Sequence, residues 1–210
     1  LTRKDFTTPW GTARTDRRLV DELEDRVPHS IRMEDYCHRI EHSIEFQVIF
    51  LQSLFGAGVN VLPVLVGPFG HAMNNGVPPD KTERASSFIE ALGDIRAREA
   101  GNLVFVLGVD MAHMGRRYGD DFPAVPFRGE MVEVERRDRL RIDRLESGDA
   151  DGFWSLIAEN QDDMKWCGSA PFYTFLKSAG PVRGQLGHYQ QWPIDEQSVV
   201  SFGALAFTSA

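Results

Sequence analysis

The order of apolar and polar positions divides the chain into short apolar runs and longer amphipathic stretches. Three runs, residues 59–66, 102–107 and 198–207, are rich in β-branched or aromatic side chains and are bounded by glycine or polar residues. This is the pattern of buried strands. Pro63 removes a ladder donor from the first run and pushes it towards an edge or a bulge. Residues 41–55 place Ile44, Val48, Leu51 and Phe55 at spacings of three and four, which predicts a helix with one buried stripe. Residues 14–26, 80–99, 127–147, 149–159 and 168–179 read as further helices. Residues 70–79 carry the glycine, asparagine and proline of a surface loop. Strands separated by long helices predict an α/β layered fold, with a largely parallel or mixed β-sheet flanked by helices.

Composition narrows the function classes. The 210 residues fit one domain, spanning 1–210, and 42% hydrophobic residues suffice for a sizeable core. A formal charge of −8, from 23 Lys+Arg against 31 Asp+Glu, argues against nucleic acid as a partner. The densest basic cluster, from Arg136 to Arg141, is interrupted by an acid and reads as a solvated helix face. No apolar run approaches the roughly 18 residues of a membrane span, so no membrane association is expected. No secretory signal opens the sequence, and two cysteines, Cys37 and Cys167, imply no disulfide framework. A cytoplasmic location is therefore expected. The sequence begins at Leu1 and enters directly what reads as the middle of a fold, so an N-terminal portion is expected upstream.

Candidate chemistry gathers at three places. Cys167 follows a polar stretch and opens the predicted helix at 168–179, where helix-start amides and the dipole favour a thiolate. The alternative is a cysteine buried as a small hydrophobe. The run ending at Leu107 leads into Gly108-Val109-Asp110-Met111-Ala112-His113-Met114-Gly115. Ligands in open α/β sheets bind beyond the carboxyl ends of strands, and Asp110 there could orient His113 for acid–base work. The plainer account is a loop histidine bonded locally. Third, His38-x-x-Glu41-His42 matches an inverted zincin pattern, and an unbroken helix would place His38, His42 and Glu45 on one face. A polar helix N-terminus explains Glu41 and His42 equally well. No Walker sequence, Gly-x-Gly-x-x-Gly or Gly-x-Ser-x-Gly occurs. His29, His71 and His188 sit in turn-like, polar surroundings and carry little signal.

Taken in order, several blocks resemble the Memo family, also called AmmeMemoRadiSam system protein B. They are Thr8-Pro9-Trp10-Gly11-Thr12, Glu41-His42-Ser43-Ile44-Glu45-Phe46-Gln47 and Leu62-Pro63-Val64-Leu65-Val66-Gly67. Asp110-Met111-Ala112-His113-Met114-Gly115, Cys167-Gly168-Ser169-Ala170-Pro171 and Ser198-Val199-Val200-Ser201-Phe202-Gly203-Ala204 complete the series. The resemblance implies a fold like that of the class III extradiol dioxygenases, whose ferrous ion is held by two histidines and a carboxylate. In the Memo family a cysteine replaces the carboxylate, and Cys167 is the matching position. The resemblance makes His113 the acid–base histidine beside the metal, with Asp110 accompanying it and His42 lining the same pocket. The family's two metal-binding histidines lie in blocks that precede Leu1 and are absent here. Gly108, Val109 and Met114 stand where relatives carry small hydroxyl residues and an aromatic, which implies a reshaped pocket. The implied cofactor is Fe(II), with Cu or Zn as alternatives. The implied activity is metal-dependent redox or dioxygenase-like chemistry on a small-molecule ligand, with radical-SAM system proteins as partners. The competing readings are a non-catalytic metal- or partner-binding protein on the same fold, and a zinc hydrolase.

Overall fold

A computed structural model describes all residues, 1–210. In chain order it opens with β1 (Phe6–Thr8), β2 (Gly11–Thr15), α1 (Arg17–Arg26), α2 (Asp35–Ile40), α3 (Ser43–Phe55) and β3 (Asn60–Val61). Then follow α4 (Gly70–Asn75), α5 (Glu83–Arg98), β4 (His113–Gly115), α6 (Glu130–Ser147) and α7 (Ala150–Ala158). The chain closes with α8 (Ser169–Ser178), β5 (Val182–Asp195) and β6 (Ser198–Ser209). No helix is long and apolar enough to cross a membrane.

The chain forms two compact units. The first comprises Leu1–Gly67 and Pro79–Gly108. In it β1 and β2 form an antiparallel hairpin, and β2 pairs in parallel with β3. Asp16 accepts from the Leu19 amide and caps α1. The helix buries Leu19, Val20 and Leu23 against Ala91 and Ile95 of α5, and each large side chain so buried contributes about 2 kcal/mol. Bidentate Arg98–Glu22 and single Arg18–Glu99 contacts run along the same helix pair. They lie in solvent, where screening leaves the apolar seam as the main adhesive.

The second unit comprises Pro68–Pro78 and Val109–Ala210. Its sheet has the order β4-β6-β5, antiparallel throughout, with bulges at Leu186/His188 and Pro193/Asp195. The stripe Met131, Val134, Ile142 and Leu145 of α6 is buried, as are Phe153, Trp154 and Ile157 of α7. Trp166 sits edge-on to Phe153 at 5.4 Å between ring centres and 5.9 Å from Phe172. Such offset aromatic contacts add to plain burial.

The mixed α/β character is as the sequence predicts, but several elements differ. Of the run 59–66 only Asn60 and Val61 join a ladder, and 102–107 joins none. Val104 is 83% exposed. Apolar composition marks a segment suited to burial, whereas a strand needs a second strand beside it. The expected loop 70–79 contains α4, ended by Gly76 in the left-handed conformation. α1 begins at Arg17 instead of Arg14, because Arg14 and Thr15 pair with β3. The expected solvated charge cluster is half wrong: Asp138 is 0% exposed and Arg141 1%. Both lie on the buried stripe of α6.

Gly115 joins β4 to the turn that follows. Its φ is +103°, and a Cβ there would overlap the Gln197 carbonyl oxygen and stand 2.9 Å from Ser198 Cα. Both obstacles are backbone. Gly115→Ala should therefore cost about 3 kcal/mol, read as a lowered urea midpoint; a loss within about 0.5 kcal/mol would show that β4 relaxes freely.

Candidate functional site

Residues 110–113 are bonded on both edges. On one side the Met111 amide donates to the Ser201 carbonyl at 2.9 Å, the Ser201 amide donates to Ala112, and the Ala112 amide donates to the Ser201 hydroxyl. On the other side the amides of Cys167 and Gly168 donate to the carbonyls of Met111 and Asp110, and the His113 amide donates to Met164. Asp110, His113 and Cys167 thereby come together at the start of α8. A Cβ on Gly168 would stand 3.0 Å from the Asp110 carbonyl oxygen, so the close approach of the two backbones favours glycine there.

The imidazole of His113 is oriented from two directions. Its Nδ1 lies 3.1 Å from both the Met111 and Lys165 carbonyl oxygens. Carbonyls only accept, so the hydrogen-bond network assigns the Nδ1 proton. Its Nε2 faces Asp110 Oδ2 at 3.5 Å, and the Tyr118 ring meets it edge-on at 5.0 Å. Burial disfavours the Asp110 anion, but the hydrogen bond and charge of His113, with a hydrogen bond from Cys167, hold the carboxyl below its ordinary value. Burial also disfavours the His113 cation; Asp110 and the two carbonyls reverse this and raise the imidazole. Cys167 is exposed. The cluster thus offers an accessible thiol, a carboxylate and an imidazole inclined to carry a proton. Beneath it, Lys165 donates to Asp120 at 2.8 Å, and Asp120 also accepts from the Gly115 amide.

The other candidates lie in the first unit. His42 caps the start of α3 with no side-chain hydrogen bond, 3.8 Å from Glu41 and edge-on to Phe46. His38 is buried on α2 without a partner for either ring nitrogen, and burial pulls its pKa to about 4. The chain leaves the helical conformation at Glu41, which has ψ of 128°. The continuous face of His38, His42 and Glu45 therefore does not form, and the geometry of the inverted zincin pattern goes with it. No three His, Cys, Asp or Glu side chains of this chain converge as a metal-holding group. The residues present do not by themselves fit a ferrous site: Cys167 hydrogen-bonds Asp110, and His113 has one nitrogen on carbonyls and the other on that same carboxylate.

The sequence reading missed the groups that hold this cluster in place. Asp138 accepts from the Trp166 indole, the Tyr189 hydroxyl and the Ser201 hydroxyl. A signal for it was present: Met131, Val134, Asp138, Arg141 and Leu145 follow spacings of three and four, one helix stripe.

Comparison with known proteins gives the family of the chain. The family described as Memo-like protein matches residues 1–206. A MEMO1 family protein of Aquifex aeolicus is 28% identical over 209 residues, covering 97% of this chain and 50% of that protein. One from Thermococcus kodakarensis is 28% identical over 214 residues, covering 95% of this chain and 67% of its own length. One from Thermus thermophilus is 30% identical over 156 residues, 74% of this chain and 41% of its own. The chain thus spans about half the length of the Aquifex relative. With a match that runs through Asp110, His113 and Cys167 and covers nearly every residue, the chain belongs to the Memo family.

Proposed function

We propose that this chain supplies the thiol and acid–base groups of a Memo-type pocket, on a fold related to the class III extradiol dioxygenases, that performs redox chemistry on a small molecule. The observation that carries the reading is the convergence of Cys167, Asp110 and His113, on a 110–113 segment bonded to β6 on one side and to the 164–168 segment on the other. In this reading Cys167 is one donor to a bound metal, Fe(II) first and Cu or Zn next, because a thiolate suits all three. The remaining donors would be the two histidines of the family blocks that this sequence does not contain. A bound ferrous ion would supply redox chemistry. His113, held by Asp110, would deliver or take a proton at Nε2, and the two carbonyls at Nδ1 fix its ring plane. Partner proteins of the radical-SAM system belong to the same proposal. A non-catalytic metal- or partner-binding protein on the same fold is the second reading.

Metal content separates the two. The anaerobically purified natural protein should hold about one iron per chain, and Cys167→Ala should lower its affinity by at least about tenfold. His113→Gln should leave the iron in place while oxidation of a catechol panel falls about a hundredfold. Protein that takes up no metal in either form would sink the redox reading and leave the binding module.

The Asp110–His113 pair also sets a pH window. Asp110 is depressed from 3.8, so its contribution to stability is present above that value and is lost as pH falls through the lower folded pKa. His113 is raised from 6.5, so its contribution is present below that value and is lost as pH rises through the higher folded pKa. The pair should therefore stabilise most between 3.8 and 6.5. Urea unfolding of the parent minus that of His113→Asn, followed from about pH 3 to about pH 9, should peak in that window. A flat difference would mean that the two side chains are uncoupled.

A further inference from the structure

We infer that Asp138 is the positioning residue of this site: one buried carboxylate ties the arm bearing Asp110 and His113 to the arm bearing Cys167. The inference rests on the reading of that cluster as functional. Asp138 is on α6 and is 0% exposed. Its Oδ1 accepts from Trp166 Nε1 at 2.7 Å, and Trp166 immediately precedes Cys167. Its Oδ2 accepts from the Ser201 hydroxyl at 2.6 Å and the Tyr189 hydroxyl at 2.8 Å. The Ser201 oxygen in turn accepts from the Ala112 amide at 2.9 Å, between Asp110 and His113. The carboxylate therefore reaches one arm through an indole and the other through a hydroxyl.

The surrounding charges fit this role. The Arg141 guanidinium, one turn along α6, is 1% exposed and attracts the carboxylate. Its own bonds go to Met164 Sδ and the Leu156 carbonyl, and its Nε has no partner. Asp162 faces Arg141 from the α7–α8 connection and accepts from the Trp166 backbone amide. Trp166 is thus held at its backbone by Asp162 and at its ring by Asp138. All three groups on Asp138 are donors, and the indole N–H can act only as a donor. An amide in place of the carboxylate would turn a donor towards at least one of them and leave a buried group unpaired.

The test is Asp138→Asn in a Cys37→Ser background, which leaves Cys167 as the one thiol of these 210 residues. Two readouts are followed: the His113 titration by NMR, assigned against His113→Gln, and the rate of Cys167 alkylation by iodoacetamide. Ile157→Val, a core change in the same unit, is the control for general loss of stability. In Asp138→Asn the His113 pKa should fall by about half a unit or more. Its Cys167 alkylation rate should change at least about threefold, while the control moves neither. Trp166→Phe should shift the Cys167 rate more than the His113 titration, and Ser201→Ala the His113 titration more than the Cys167 rate. If Asp138→Asn keeps both readouts and loses only stability, the inference is overturned. If that variant does not fold, the Trp166→Phe and Ser201→Ala pair decides, and unchanged readouts in both would overturn it equally. Neither readout needs a substrate or a metal, so failure of the redox reading in the parent protein is a separate result.

Discussion

The second unit depends on one constraint, the two-sided hydrogen bonding of residues 110–113. Backbone groups of this short segment pair with β6 through Ser201 and with the 164–168 segment through Met164, Cys167 and Gly168. A segment bonded on both edges cannot swing without breaking several bonds together, each worth about 1 kcal/mol net and more when a buried group is left unpaired. Everything chemical in the cluster inherits its placement from that frame. The Asp110 and Cys167 side chains meet because the amides of Cys167 and Gly168 bond the carbonyls of Met111 and Asp110 side by side, and the His113 ring is aimed by carbonyls of the same two arms. The Gly115 turn beyond it admits no side chain, which closes the frame against β6.

Much of this was legible in the sequence, but unevenly. The long helices and the last strand stand out because their periodicity is a local property, and Cys167, Asp110 and His113 stand out as residue types at plausible ends of elements. Their proximity is not local: His113 and the Lys165 carbonyl that orients it are 52 positions apart. β5 gives no strand signal, because Gly184, Gly187, Pro193 and several glutamines break any alternation. It is a strand by virtue of twelve register partners in β6, two bulges included. The converse holds at 102–107, where composition is strand-like and no partner strand lies alongside. The Arg136–Arg141 cluster misled for a different reason. Charge runs are normally solvated, and only the three-and-four spacing with Met131 and Val134 marks Asp138 and Arg141 as inward.

The electrostatics of the cluster follow from its partial burial. Asp110 and His113 each suffer from leaving water, and each is rescued by the other. A pair of this kind favours the protonated imidazole more than an isolated histidine would. The Cys167 hydrogen bond to the same carboxylate couples the thiol to that equilibrium. A ligand that drew the sulfur away would leave Asp110 with one donor fewer, and the charge on His113 would then matter more to it.

The buried Asp138 and Arg141 pose the usual question of why a core should hold charge at all. Two ions taken out of water are expensive, and well-packed apolar side chains often stabilise a core at least as well. Here an apolar replacement at Asp138 would orphan the Trp166 indole, the Tyr189 hydroxyl and the Ser201 hydroxyl together, each a buried donor. Three such losses exceed what a better-packed side chain returns. A carboxylate also fixes direction, because its two oxygens bind the indole on one side and the hydroxyls on the other, whereas hydrophobic contact tolerates sliding. The charge in this core is therefore best understood as a device for geometry, and the geometry it sets is the spacing between an imidazole and a thiol.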